Sequence, residues 1–267
     1  MTRIAVFGTS HVAALKLGWD RIAAEHPGVT CEFLAIRRSD FGLFSLDAAG
    51  RFGLHAAGTP EARRVLARSG RATLDLAAAD VALWAGMESR LSVMAELLAD
   101  CEVAGLGARG APTALTEAAF LGLMRGTIRA GLPGPEWAAL RGPRRLAWLE
   151  PVPAESCLHS PQARYAAWRR AAGAGAALGP AREKVLALHR EALEGIGFEL
   201  LEQPPETFAP SGLTDARHAR GAMRLDGDGM GEADHSHMNP DFGALAMRAL
   251  LARIAAGARA EAAPAGA

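Results

Sequence analysis

Cysteine is scarce in this chain: the 267 residues hold three, Cys31, Cys101 and Cys157, odd in number and widely spaced. No CxxC pair occurs, which argues against a disulfide framework or a zinc knuckle and fits a reducing compartment. Net charge is absent as well, because 29 basic residues balance 29 acidic ones. Nothing in that balance draws the chain toward nucleic acid or an anionic membrane surface. No apolar run is long enough to span a bilayer. No charged leader with an apolar core and a small-residue cleavage site opens the sequence, so no secretory signal is expected and a cytoplasmic location is the default. The Gly-Lys-Ser/Thr ending of a P-loop is missing after Gly8, which excludes that phosphate cradle.

What is present is a hydrophobic share of 50%, inflated by Ala and sufficient for a large core. A single α/β domain is expected over residues 1–256, with an Ala/Gly/Pro-rich flexible tail over 257–267. Arg3 to Gly8 reads as a short buried strand that delivers Ser10 to a helix through Val12, Leu15 and Trp19. Further strands are expected at Val29–Ile36, Val81–Trp84, Arg145–Leu149 and Phe198–Leu201, the third ended by Ala85-Gly86. Residues 43–79 suggest a hairpin or irregular excursion, then a helix or strand from Arg63 to Leu76. Ser89 and Asn239 are candidate N-caps, with Pro240 suited to a first helical position, and the apolar series after Thr116 gives another amphipathic helix. Short apolar strands alternating with helices imply a five-stranded parallel sheet covered on both faces, so that all five strand ends carry loops to one edge. The stretch Ala209–Ala233 is expected to wrap that edge.

Two polar clusters fall at that edge. Ser10 lies between a strand's carboxyl end and a helix's amino end, where ligands bind in open α/β sheets. It admits two readings, an N-cap or a nucleophile. Asp234 and His237 lie three residues apart just before the last helix. At that spacing the carboxylate can accept from one imidazole nitrogen and leave the other free to take a proton from a serine hydroxyl.

Gly8-Thr9-Ser10-His11, together with Asp234-x-x-His237 and the following Asn239 and Gly243, resembles the SGNH (GDSL-like) hydrolase family. The resemblance implies a flavodoxin-like three-layer sandwich and a serine ester hydrolase acting on small O-acyl esters, carbohydrate O-acetyl groups being one such class. Ser10 would be the nucleophile, His237 the proton shuttle and Asp234 its orienting carboxylate, with no cofactor or metal. Oxyanion donors would be the Ser10 N–H, Gly42 after the second strand, and the loop after the third. That loop departs from the family's Gly-x-Asn: it reads Gly86-Met87-Glu88-Ser89. An ionised Glu88 cannot donate, whereas the Ser89 hydroxyl or a backbone N–H can. Thr9 stands where the family usually has Asp, at a position that is not a reacting group.

Acyl transfer to a sugar or other alcohol would use the same residues, and a non-catalytic binding protein could share the fold. His235-x-His237, with Asp234 and His218, is a weak metal pattern. Asp226-Gly-Asp-Gly opens like a calcium loop but lacks the later ligands, and reads as a loop. His11 and His55 are read as structural or solvated. Arg37, Arg38 and Arg90 fall at strand ends and read as surface arginines, with contact to an anionic substrate group as the other reading. Trp84 and Trp148 are read as core.

Overall fold

The computed structural model describes residues 1–54, 58–106, 111–134, 136–225 and 228–262. Five parallel strands form the central sheet: β1 (Thr2–Gly8), β2 (Val29–Ala35), β3 (Val81–Met87), β4 (Arg144–Leu149) and β5 (Glu199–Leu201). Their spatial order is β2-β1-β3-β4-β5, the flavodoxin-like order, with the topological switch point between β1 and β3. Strands covered on both faces read as continuous apolar runs, which is why Ile4-Ala5-Val6-Phe7 and Val81-Ala82-Leu83 are so legible.

Helices are α1 (Val12–Ile22), α2 (Pro60–Ser69), α3 (Leu91–Asp100), α4 (Glu117–Ala130), α5 (Ala166–Gly173), α6 (Leu178–Glu194) and α7 (Pro240–Ala262), with a single turn at Glu136–Ala139. Side chains of β1 alternate. Ile4 and Val6 face Val12, Leu15 and Trp19 of α1 and Phe242, Met247 and Leu250 of α7. Phe7 faces the other way, into an aromatic cluster with Phe52, Trp84 and Trp137. Trp148 is buried and Trp84 half-buried, both in core positions. A third cluster joins α3, α4, α5 and α6.

The excursion after β2 is a hairpin, Ser45–Leu46 against Arg51–Gly53, extended by Thr73–Asp75. Between them α2 starts at Thr59, whose Oγ1 accepts from the Ala62 N–H at 3.1 Å, and stops at left-handed Gly70. Thr116 caps α4 in the same way. Three boundaries differ from expectation. Helix α3 is preceded by left-handed Arg90 with no side-chain cap, and Ser89 lies one residue further back. Strand β3 does not end at Gly86: a register shift between Ala85 and Met87 bulges the strand there, and pairing with β4 resumes at Met87. Helix α7 continues through Ala262, past the point where the composition suggests fraying, and residues 263–267 lie outside those described. The three cysteines are free thiols, and burial pushes those of Cys31 and Cys157 up to about 12. Among the described residues no helix is long and apolar enough to cross a membrane.

Candidate active site

The carboxyl ends of β1 and β2 are stitched together where Ile36 N–H donates to the Gly8 carbonyl at 2.8 Å. Thr9 N–H donates to the Ala85 carbonyl at 3.1 Å, and Thr9 Oγ1 donates to the Gly86 carbonyl at 3.2 Å. Gly8 is required here: a Cβ on it would lie 1.8 Å from the Ala85 oxygen. This junction thrusts Ser10 into solvent at the switch point. Ser10 does not cap α1. The residue preceding that helix is His11, whose side chain caps nothing, and Ser10 Oγ is instead bound to His237 Nε2 at 2.7 Å.

His237 comes from the far end of the chain. Asn239 caps α7 through Oδ1, which accepts from Phe242 N–H at 3.0 Å, while its amide donates to the carbonyls of Arg217 and Arg220. The preceding loop is tied down on its other side. Tyr165 Oη meets Ser236 Oγ at 2.9 Å and accepts from the His235 N–H at 3.0 Å. His235 Nδ1 meets Ser156 Oγ at 2.8 Å, turning that ring to a separate partner. His237 Nδ1 and Asp234 Oδ2 are 2.7 Å apart, and Asp234 Oδ1 accepts from the N–H groups of Ser236 and His237. Burial opposes charge on Asp234, but the imidazole and the two backbone donors outweigh it and hold its carboxyl well below the usual range.

The two ends meet because α1 and α7 touch at glycines. A Cβ on Gly18 would lie 2.2 Å from the Gly243 carbonyl carbon, and one on Gly243 would lie 1.7 Å from the Ala14 oxygen. Backbone-to-backbone contact at that crossing brings the loops before both helices within hydrogen-bond reach of each other. His11 completes the floor, its ring stacked 5.1 Å from that of His237 at 19°. Burial, with the nearby His237 and Arg38, lowers the His11 pKa to about 3, so it stays neutral beside His237.

Ser10 and His237 border two openings. One, of about 350 Å³, includes Ala13, Ala35, Ile36, Leu225 and Met230 in its wall. The other, of about 390 Å³, includes Arg38, Glu88, Ser89, Arg90, Glu150 and Arg164. The candidate oxyanion residues divide accordingly. Among the described residues the Ser10 N–H donates to no acceptor, which leaves it for a ligand. Ser89 is buried in the wall beside Ser10 and accepts only a long bond, 3.4 Å, from the Leu91 N–H. Its carbonyl accepts from His189 Nε2 at 2.8 Å, which anchors the loop. Glu88 lines the same opening but is paired with Arg90 at 2.9 Å. Gly86 lies behind Thr9, where a Cβ would come 2.2 Å from Thr9 Oγ1. Gly42 is exposed in the Arg38–Leu43 turn and lines neither opening, because that turn carries Arg37 and Arg38 toward Ser10 instead.

Glu150, Arg164, Tyr165, Arg224 and Met230 join the site without any motif to mark them, since they come as one or two residues at a time from three loops far apart in the sequence. Among the described residues no group of three or more His, Cys, Asp or Glu is placed to hold a metal, and His218 packs against Phe242. Asp226 and Gly227 of the calcium-like stretch, and His55, lie outside the described residues. Chemically, the Ser10–His237–Asp234 chain can deprotonate a hydroxyl and store the proton on an imidazole held by a carboxylate. No protein-family model, curated protein or solved structure matches the chain.

Proposed function

We propose that this protein is a serine ester hydrolase of the SGNH type, acting on small O-acyl esters such as carbohydrate O-acetyl groups. The observation that carries the reading is the unbroken hydrogen-bonded chain from Ser10 Oγ through both nitrogens of His237 to Asp234, each link 2.7 Å long. Serine is a poor nucleophile at its own pKa and needs such a base.

In this reading Ser10 Oγ bonds to the acyl carbon as its proton passes to His237 Nε2. Asp234, held anionic, orients the ring and stabilises the imidazolium without accepting the proton. His237 then protonates the departing alcohol as the carbon–oxygen bond breaks. Water repeats the sequence to release the acid and restore Ser10. The oxyanion is met by the Ser10 N–H and the Ser89 hydroxyl. Glu88, an acceptor paired with Arg90, contributes nothing to it. The bland explanation of Ser10, helix capping, loses its support because that oxygen is committed to His237.

The test is labelling of the folded protein with a fluorophosphonate, followed by peptide mass spectrometry, alongside hydrolysis of p-nitrophenyl acetate. Adduct on Ser10 and a loss of about 10⁴-fold or more in kcat for Ser10→Ala are expected. An unlabelled Ser10 in folded protein would favour a binding protein on the same frame, and an unchanged rate in Ser10→Ala would remove the nucleophile assignment.

A further inference from the structure

Resting on the esterase reading, we infer that the Ser236 hydroxyl donates a hydrogen bond to the alcohol portion of the substrate. The acceptor is a hydroxyl or ether oxygen, as polyols and sugars carry, and Tyr165 is the positioning residue that frees the Ser236 proton for it.

The direction of one hydrogen bond decides this. Tyr165 is the chain's single tyrosine, only 2% exposed, and its Oη has two partners. The backbone N–H of His235 can only donate, so at 3.0 Å the phenol oxygen accepts from it. Ser236 Oγ, the other partner at 2.9 Å, is able to donate or accept. If it donated, the phenol proton of a buried side chain would have no acceptor among the described residues, and an unmet buried donor is costly. The phenol therefore donates to Ser236 Oγ, which leaves the serine proton over. Among the described residues Ser236 Oγ has no second partner. Ser236 is half-buried in the wall of the opening of about 390 Å³ that Ser10, Ser89 and His237 also border. A hydroxyl that accepts from a phenol is also polarised into a better donor.

The hydroxyl is held in place by the same contacts that hold the base. Ser236 N–H donates to Asp234 Oδ1 at 2.9 Å, one residue before His237. The segment that supplies Tyr165 also supplies Gln162, whose Nε2 donates to the Ala233 carbonyl at 2.8 Å. A structural tie is complete once the phenol meets the His235 N–H, and it has no use for a serine proton directed elsewhere. The acyl group of a small O-acyl ester carries no oxygen beyond the ester itself, so the acceptor belongs to the alcohol.

Two pairs of acetates that differ only by an ether oxygen in place of a methylene provide the test. They are 2-methoxyethyl against butyl acetate, and tetrahydropyran-4-yl against cyclohexyl acetate. With each kcat/KM divided by the ester's alkaline hydrolysis rate, the wild type should favour the oxygen-bearing member of at least one pair by about three- to tenfold. Ser236→Ala should bring that ratio close to one, Ser236→Thr should keep most of it, and Tyr165→Phe should shrink it. A loop merely loosened by substitution slows both members of a pair alike and leaves the ratio where it was. No preference in either pair, or the same preference in Ser236→Ala, overturns the inference, and an undiminished ratio in Tyr165→Phe overturns the positioning role. Fluorophosphonate labelling of Ser10 without any preference removes the inference alone, whereas an unlabelled Ser10 with no turnover removes the esterase reading as well.

Discussion

Gly243 offers the sharpest test of how Ser10 and His237 are held together. Replacing it with Ala places a Cβ 1.7 Å from the Ala14 oxygen and 2.4 Å from the Ala14 carbonyl carbon. Ordinary contact needs about 3.5 Å, so α7 must draw back from α1 by about 1.5–2 Å, because both clashing atoms are backbone and neither can swing aside. The loop before α7 carries His237, and a withdrawal of that size takes the 2.7 Å contact to Ser10 beyond hydrogen-bond range. Removing a helical glycine favours folding by about 0.5–1 kcal/mol, but overpacking of this kind costs about 1–3 kcal/mol, so destabilisation wins. A misplacement near 1 Å costs on the order of 10²-fold in rate, and at least that loss is expected in fluorophosphonate labelling of Ser10. The control is Gly122→Ala in α4, where nothing lies within 4 Å of the new Cβ and stability should hold or rise. If Gly243→Ala unfolds at the wild-type urea concentration and labels at the wild-type rate, the helix crossing does not set the geometry of the site.

Two further outcomes follow from the same contacts. Asp234→Asn keeps an oxygen for the Ser236 and His237 N–H groups but lets His237 adopt the wrong tautomer. It should lower kcat by about 10⁴-fold with the circular dichroism spectrum intact, and a loss under tenfold would contradict the role given to the carboxylate. His11 bears on acid stability. Unfolded, it binds a proton below about pH 6.5. Folded, it resists protonation until about 3, because burial disfavours its charge. The unfolded state thus holds more protons between those limits, and stability falls with falling pH by up to about 1.4 kcal/mol per unit from this group. Buried His189 and His218 act in the same direction and are common to both proteins. Urea midpoints measured at pH 7 and pH 5 should therefore fall less in His11→Phe than in the wild type, and parallel curves would refute the assignment.

The order of strands and helices was legible in the sequence because its causes are local. Apolar runs covered on both faces announce β1 and β3, and Thr116, Asn239 and Pro240 sit at helix starts where their own side chains or rings do the work. The contact between Asp234 and His237 was also readable from spacing, since a three-residue step before a helix leaves carboxylate and imidazole within reach. The misplacements share one cause. Gly86 breaks a strand by propensity, yet β3 and β4 pair on either side of it and absorb it as a bulge. Gly42 stands in the right part of the sequence, but the turn it occupies points arginines at Ser10 instead.

By itself, then, the sequence determined which segments become strands and helices, and which end of each segment carries polar side chains. Three-dimensional packing alone decided whether Ser10 would cap a helix or meet a base from 227 positions away. That choice rests on two glycine-bearing helices packed backbone against backbone, a contact between chain ends that no local pattern encodes. The left-handed turn of Arg90 belongs to the same class. An arginine's own preference runs against it, and only the surrounding cleft, anchored through Ser89 and His189, holds it there.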